Sequence, residues 1–189
     1  MGRLPLVVSL GVALSACGGD VIDLYTDEPV EMDGEPKLPL IQGDPWLGIG
    51  LWEARDYVVL DEGDPVGLFN GDQGGWWVHM ALRAIGVGSN GVAEGSVRSG
   101  DADGQVIGFS LAPEIIRLGQ THDGYLQAPV LRIRFFNDLG GPENREARRL
   151  AAEALDGEQG HLSVTYEADD GSSATGTAPI TFAVGKAAE

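Results

Sequence analysis

From residue 44 onward, hydrophobic and polar positions follow one another at period two, in short runs punctuated by Gly, Asp and Pro. The run that organises the rest follows the turn G-D-Q-G-G at 71–75. Trp76, Val78, Met80 and Leu82 fall on one face of the predicted strand, and Trp77, His79, Ala81 and Arg83 on the other, because successive strand side chains point to opposite sides. The first set is large and apolar, which predicts a core-facing surface. The second mixes an aromatic, a titratable ring and a cation, which predicts a half-exposed one. This strand is expected to continue to Val87.

Further strands are predicted at 47–52, 57–60, 66–69, 92–97 and 105–111, separated by turns such as Asp61-Glu62-Gly63-Asp64-Pro65 and Gly88-Ser89-Asn90-Gly91. Over 130–136 the pattern places Leu131, Ile133 and Phe135 inward and Val130, Arg132, Arg134 and Phe136 outward. Near the C-terminus, Leu162, Val164 and Tyr166 alternate with Ser163, Thr165 and Glu167. After Asp169-Asp170-Gly171-Ser172 a second run returns through Ile180, Phe182 and Val184, which predicts a hairpin. This hairpin resembles the closing F–G hairpin of immunoglobulin-like bacterial surface domains, although the Cys–Trp–Cys framework is missing.

One stretch departs from the strand period. Over 142–156, Ala147, Leu150, Ala151, Ala154 and Leu155 recur at helical spacing, with Pro142 suited to the first turn and Gly157 to the stop. The expectation is a helix whose small-residue stripe lies against the strands, with Arg145, Arg148 and Arg149 off that stripe and Arg149 spaced to pair with Glu153. The fold class is therefore all-β: an immunoglobulin-like two-sheet β-sandwich over 44–186 with one inserted α-helix and a tail at 187–189. A closed barrel is the alternative.

The N-terminus changes the picture of where this domain works. Arg3 precedes an apolar run over 4–14, too short for a permanent membrane span, and the run ends in Leu14-Ser15-Ala16-Cys17. That segment resembles the lipobox of bacterial lipoproteins. The resemblance implies a signal peptide at 1–16, cleavage before Cys17, and acylation of Cys17 (palmitate among the chains), which anchors the protein to a membrane of the cell envelope. Cys17 is the chain's single cysteine, so no intrachain disulfide competes for it. An ordinary secretory signal is the other reading of this segment. Gly18 after the cysteine points, by analogy, to the outer membrane. Over 17–43 there are seven acids, the single base Lys37 and three prolines, a composition that predicts an extended acidic tether without structure of its own. A short strand or docking peptide at 21–25 is the alternative there.

Charge narrows the partners. The 189-residue chain carries 12 Lys and Arg against 29 Asp and Glu, a formal net charge of −17. Nucleic-acid binding needs a basic footprint for counterion release, and this chain lacks one.

Candidate chemistry is sparse. The turn Gly71, Gln73, Gly74, Gly75 followed by Val78 resembles a recurrent G-x-Q-G-G-x-H-[VI] strand motif of uncharacterised bacterial envelope lipoproteins. Trp77 stands where that motif has histidine. The resemblance implies a fold and an address, and no activity. Paired glycines permit positive φ or close backbone approach. His79, His122 and His161 sit in separate segments without short metal-ligand spacing, and no G-x-S-x-G elbow is present. Asp101 and Asp103 open like a calcium loop that lacks its downstream glutamate, so they are weak calcium candidates; otherwise no metal or cofactor is expected. Trp77, His79 and Arg83 are the candidate binding residues. The function expected is that of a membrane-anchored, non-enzymatic binding or structural module for an envelope protein partner. A glycan-binding surface module is the alternative, followed by a hydrolase with loop-borne residues.

Overall fold

The strand pairings that period-two patterning leaves open are supplied by the computed structural model, which describes residues 38–53, 55–71, 75–110, 113–136 and 142–185. The expected signal peptide, Cys17 and the expected tether up to Lys37 lie outside the described residues, as do Gln73 and Gly74 of the glycine turn and the tail at 187–189.

Among the described residues, eleven strands join one sheet. They are β1 (Trp46–Glu53), β2 (Asp56–Val59), β3 (Pro65–Asn70), β4 (Trp76–Ile85), β5 (Asn90–Ser99), β6 (Val106–Phe109), β7 (Glu114–Arg117), β8 (Gly119–Gln120), β9 (Leu126–Phe135), β10 (Gln159–Ala168) and β11 (Ser173–Val184). A 3-10 turn at Pro142–Asn144 leads into the helix α1 (Arg145–Glu153). β4 ends at Ile85, short of Val87, and β7 and β8 are strands that the polarity pattern did not mark.

The all-β class holds. Its two expected open sheets are one sheet that closes through seven strands, in the order β4-β3-β11-β10-β5-β6-β9 and back to β4. Closure has two local causes. β3 runs parallel to β11, pairing Pro65–Leu68 with Thr181–Val184, so the last strand is joined to an early one. β4 is long enough to be shared: β9 takes one edge, while β3 pairs at Trp76 and Trp77 and β1 at Ala81–Ile85 on the other. The register between β4 and β9 shifts between Met80 and Leu82, and a bulge of this kind bends the pair and tightens its twist.

The inward faces are those the alternation predicts, except that Ala81, expected on the half-exposed face of β4, is buried too, at the register shift between Met80 and Leu82. Val78, Met80, Leu82, Leu131, Ile133, Phe135, Leu162, Val164, Tyr166, Ile180 and Phe182 are all essentially inaccessible, and Trp76 is buried. The Phe135 and Phe182 rings meet edge to face at 5.9 Å, a favoured aromatic geometry. Gly160 on β10 makes room for that pair, because a Cβ there would stand 2.5 Å from the Phe182 ring. Tyr166 is buried with its hydroxyl donating to the Gly88 carbonyl at 3.0 Å, so its polar end is satisfied.

Three local expectations change. Phe136 lies beyond β9 with φ of 58°; its backbone turns out of the strand, and the ring packs against the core beside Phe135 instead of facing outward. In α1 the buried residues are Arg148 and Ala152, whereas Ala147 and Leu150 of the expected stripe are exposed. The helix is short and meets the core through Ala152, so the long aliphatic stem of Arg148, one turn earlier, lies on the buried side. Arg149 does pair with Glu153, and also with Glu146 at 3.0 Å. At the other end, the last residues read as tether are tied down. Leu38 and Ile41 donate backbone hydrogen bonds to His122 and Gly124 at 3.0 and 2.9 Å, and Gln120 donates its side chain to the Leu38 carbonyl.

Candidate binding face

β4 and β9 run side by side through the closed sheet, so their outward residues share one surface with β3 and β6. Directly paired residues lie on the same face. Phe109 of β6 pairs with Arg134 of β9, Arg134 with Trp77 of β4, and Trp77 with Phe69 of β3. Four strands thus contribute one outer row, Phe109–Arg134–Trp77–Phe69. One pleat further along, His79 pairs with Arg132.

The glycine turn shapes this row. A Cβ on Gly71 would stand 2.9 Å from Trp77 Nε1, and one on Gly75 would stand 3.1 Å from it and 3.4 Å from Arg134 Nε. The indole therefore lies against backbone that only glycine leaves open, consistent with a geometric role for the turn. On the indole rests the Arg134 guanidinium, 5.5 Å from the ring centroid, within cation–π range. Among the described residues, Arg134 forms no ion pair and no hydrogen bond with its side chain. Its neighbour Arg132, in contrast, lies close to a carboxylate. Burial raises the Glu114 pKa above its ordinary value, against the opposing pull of the Arg132 backbone N–H and charge.

His79 stacks on Phe69, with centroids 5.4 Å apart and planes 27° from parallel. Partial desolvation and the Arg132 charge both lower its pKa, which favours the neutral imidazole. Phe109 is 45% exposed, the largest open apolar surface of the row.

Arg83 lies elsewhere on β4 and has a different environment. Its guanidinium packs on both the Tyr57 and the Tyr125 rings, 4.7 and 5.0 Å from their centroids. It donates to Gln127 Oε1 at 3.1 and 2.9 Å and approaches Asp56 and Asp123 at 3.7 and 3.6 Å. Burial raises the Tyr57 pKa to about 12 against the opposing pull of Arg83. Burial also disfavours the Asp123 charge, but the Thr121 hydroxyl and Arg83 outweigh it and hold that carboxyl below its ordinary value. Through these contacts Arg83 ties the β1–β2 hairpin to the β8–β9 turn.

The three candidates of β4 thus divide: Trp77 and His79 belong to the open row, and Arg83 to a closed clamp. The partners that complete the row, Phe69, Phe109 and Arg134, carry only the signal of an outward position in their own strands. Their meeting depends on pairings between distant segments. Asp101 and Asp103 lie in the β5–β6 turn, where the Asp101 carboxylate accepts the Asp103 backbone N–H at 3.0 Å. Among the described residues, no group of three or more His, Cys, Asp or Glu is placed to hold a metal ion.

No protein-family model and no curated protein matches the chain. Among solved structures, "Structure of the N-terminal domain of PorA" is similar over 72% of this chain and 96% of that one, at 12% identity and a TM-score of 0.29. At that TM-score the likeness carries no argument about fold or function.

Proposed function

We propose that this chain is an envelope lipoprotein, acylated at Cys17 and held at the outer membrane, whose barrel domain is a non-enzymatic binding module. The acidic segment before residue 38 spaces the domain from the lipid, and the outer surface of β6, β9, β4 and β3 is the binding face. One observation carries the assignment of the face: a chain with net charge −17 gathers Phe109, Arg134, Trp77 and Phe69 in a single outward row. Aromatic residues and arginine are the types that dominate binding surfaces energetically. The lipid anchor is supported by the lipobox and by the chain's only cysteine. An immunoglobulin-like description of the domain rests on the β10–β11 hairpin, and the binding reading does not depend on it.

Two measurements test this. Cells expressing the full chain are labelled with radioactive palmitate and their membranes separated by density; the label is expected on the protein in the outer-membrane fraction and absent from Cys17→Ala. Labelling that persists without Cys17 removes the anchor. For the face, a photo-crosslinking residue is placed at Phe109 or, as a control, at the exposed Thr177 of β11. Adducts expected only from position 109, and lost with Trp77→Ala, support the face. Equal capture from both positions, or none, overturns it.

A further inference from the structure

The geometry points to Arg134 as an anion receptor, and to the uronic-acid residues of an acidic saccharide as its ligand. This inference rests on the reading of the row as a binding face and names what the face holds. A guanidinium held over an indole by a cation–π contact is restrained before any ligand arrives, and that contact leaves its N–H donors for a carboxylate. Arg134 meets those conditions: it lies over Trp77, and among the described residues no acid or carbonyl occupies its donors. Every other element of the row supports that position. Gly71 and Gly75 admit the indole, Phe109 stands exposed on one side, and the Phe69–His79 stack lies on the other.

The choice of ligand follows from size and backbone. Four adjacent strands at a spacing of about 4.8 Å make a row roughly 14 Å across, which with one further pleat covers on the order of 200 Å². A stable protein interface needs about 800 Å² per partner, whereas two or three sugar rings fit the smaller area. Peptide recognition by strand addition is closed here, because β4, β9 and β6 are paired on both edges at this level. A pyranose ring offers what remains: a C–H face for Phe109 and a carboxylate for Arg134.

The test is calorimetric titration of the purified full chain with trigalacturonate, with neutral galactotriose and acetate as comparison probes. Saturable binding of trigalacturonate alone is expected, weakened tenfold or more by Arg134→Gln, less by Arg134→Lys, and not at all by Arg117→Gln on exposed β7. Thermal melts of each variant verify that these outward substitutions leave the barrel folded. Absent binding, binding unchanged in Arg134→Gln, or acetate matching trigalacturonate overturns the proposal. If trigalacturonate fails while position 109 still captures a protein in a Trp77-dependent way, the face stands and its occupant is a protein. Failure of both measurements removes the face as well.

Discussion

The Arg83 guanidinium carbon lies 4.7 Å from the centroid of the Tyr57 ring and 5.0 Å from that of Tyr125. A residue that the strand pattern placed on an open face is thereby enclosed, with its side chain 18% accessible. Two glycines on β1 create the slot: a Cβ at Gly48 or Gly50 would collide with Tyr57.

Arg83→Ala should cost about 2–4 kcal/mol, combining a hydrogen bond to a charged group with two cation–π contacts. The contact to Asp56, which is 63% exposed, adds little. Denaturant unfolding measures the loss. Because the clamp ends in the β8–β9 turn that holds Leu38 and Ile41, amide exchange at those two residues should accelerate before global unfolding. A loss below about 0.5 kcal/mol, the usual range of a surface substitution, would mean that the clamp is only a surface contact.

Tyr57 and Tyr166 each have a pKa raised from 10.0 to about 12. Burial is the main cause for both, with Asp169 and Asp170 adding to it at Tyr166. A phenol that holds its proton more tightly when folded stabilises the fold fully below pH 10, and that contribution is lost as pH climbs towards 12. Absorbance titration should therefore show late-ionising tyrosines, with unfolding setting in above pH 10. Tyr166→Phe should reduce that alkaline sensitivity while costing about 1–2 kcal/mol near neutrality for the hydrogen bond to Gly88. Titration of every tyrosine near pH 10 in the folded protein contradicts the burial argument.

Face assignment along β4, β9, β10 and β11 was legible in the sequence because alternation is a local property, and Val78, Leu131, Leu162 and Phe182 all turn inward as it requires. Strand partners were not legible. Nothing local in Pro65–Leu68 announces that it will run parallel to Thr181–Val184, and that pairing helps close the barrel. The same limit hid the candidate site, since Arg134 reads as an outward cation until β9 is laid beside β4. In α1 the pattern misled, because counting apolar residues favours Leu150, whereas the docked side is reached by the stem of Arg148.

Acid should act through Asp123. Burial opposes its charge, yet the Thr121 hydroxyl bond and Arg83 bring its pKa below the ordinary 3.8. A carboxyl that binds its proton more weakly when folded stabilises the fold above the unfolded pKa, and the contribution disappears as pH falls through the folded one. Stability should therefore decline below about pH 4 more steeply in the parent than in Asp123→Asn, measured as unfolding free energy across pH 2–6. Parallel curves would show that Asp123 makes no such contribution.

Two glycine substitutions should separate the core from the face. In Gly160→Ala the new methyl must displace the buried Phe182 ring at 2.5 Å, with the Arg98 carbonyl only 3.2 Å away; both neighbours are fixed, so overpacking should cost about 1–3 kcal/mol. In Gly71→Ala the nearest atom is Trp77 Nε1 at 2.9 Å, on a half-exposed ring that can swing outward. Unfolding free energy should fall little there, while the Trp77 contribution to fluorescence, taken as the difference from a Trp77→Phe background, shifts to the red and its quenching by iodide increases. Equal destabilisation by the two substitutions would mean that the Trp77 indole is locked into the core, and that the Gly71–Gly75 turn supports the barrel rather than the surface on which Arg134 rests.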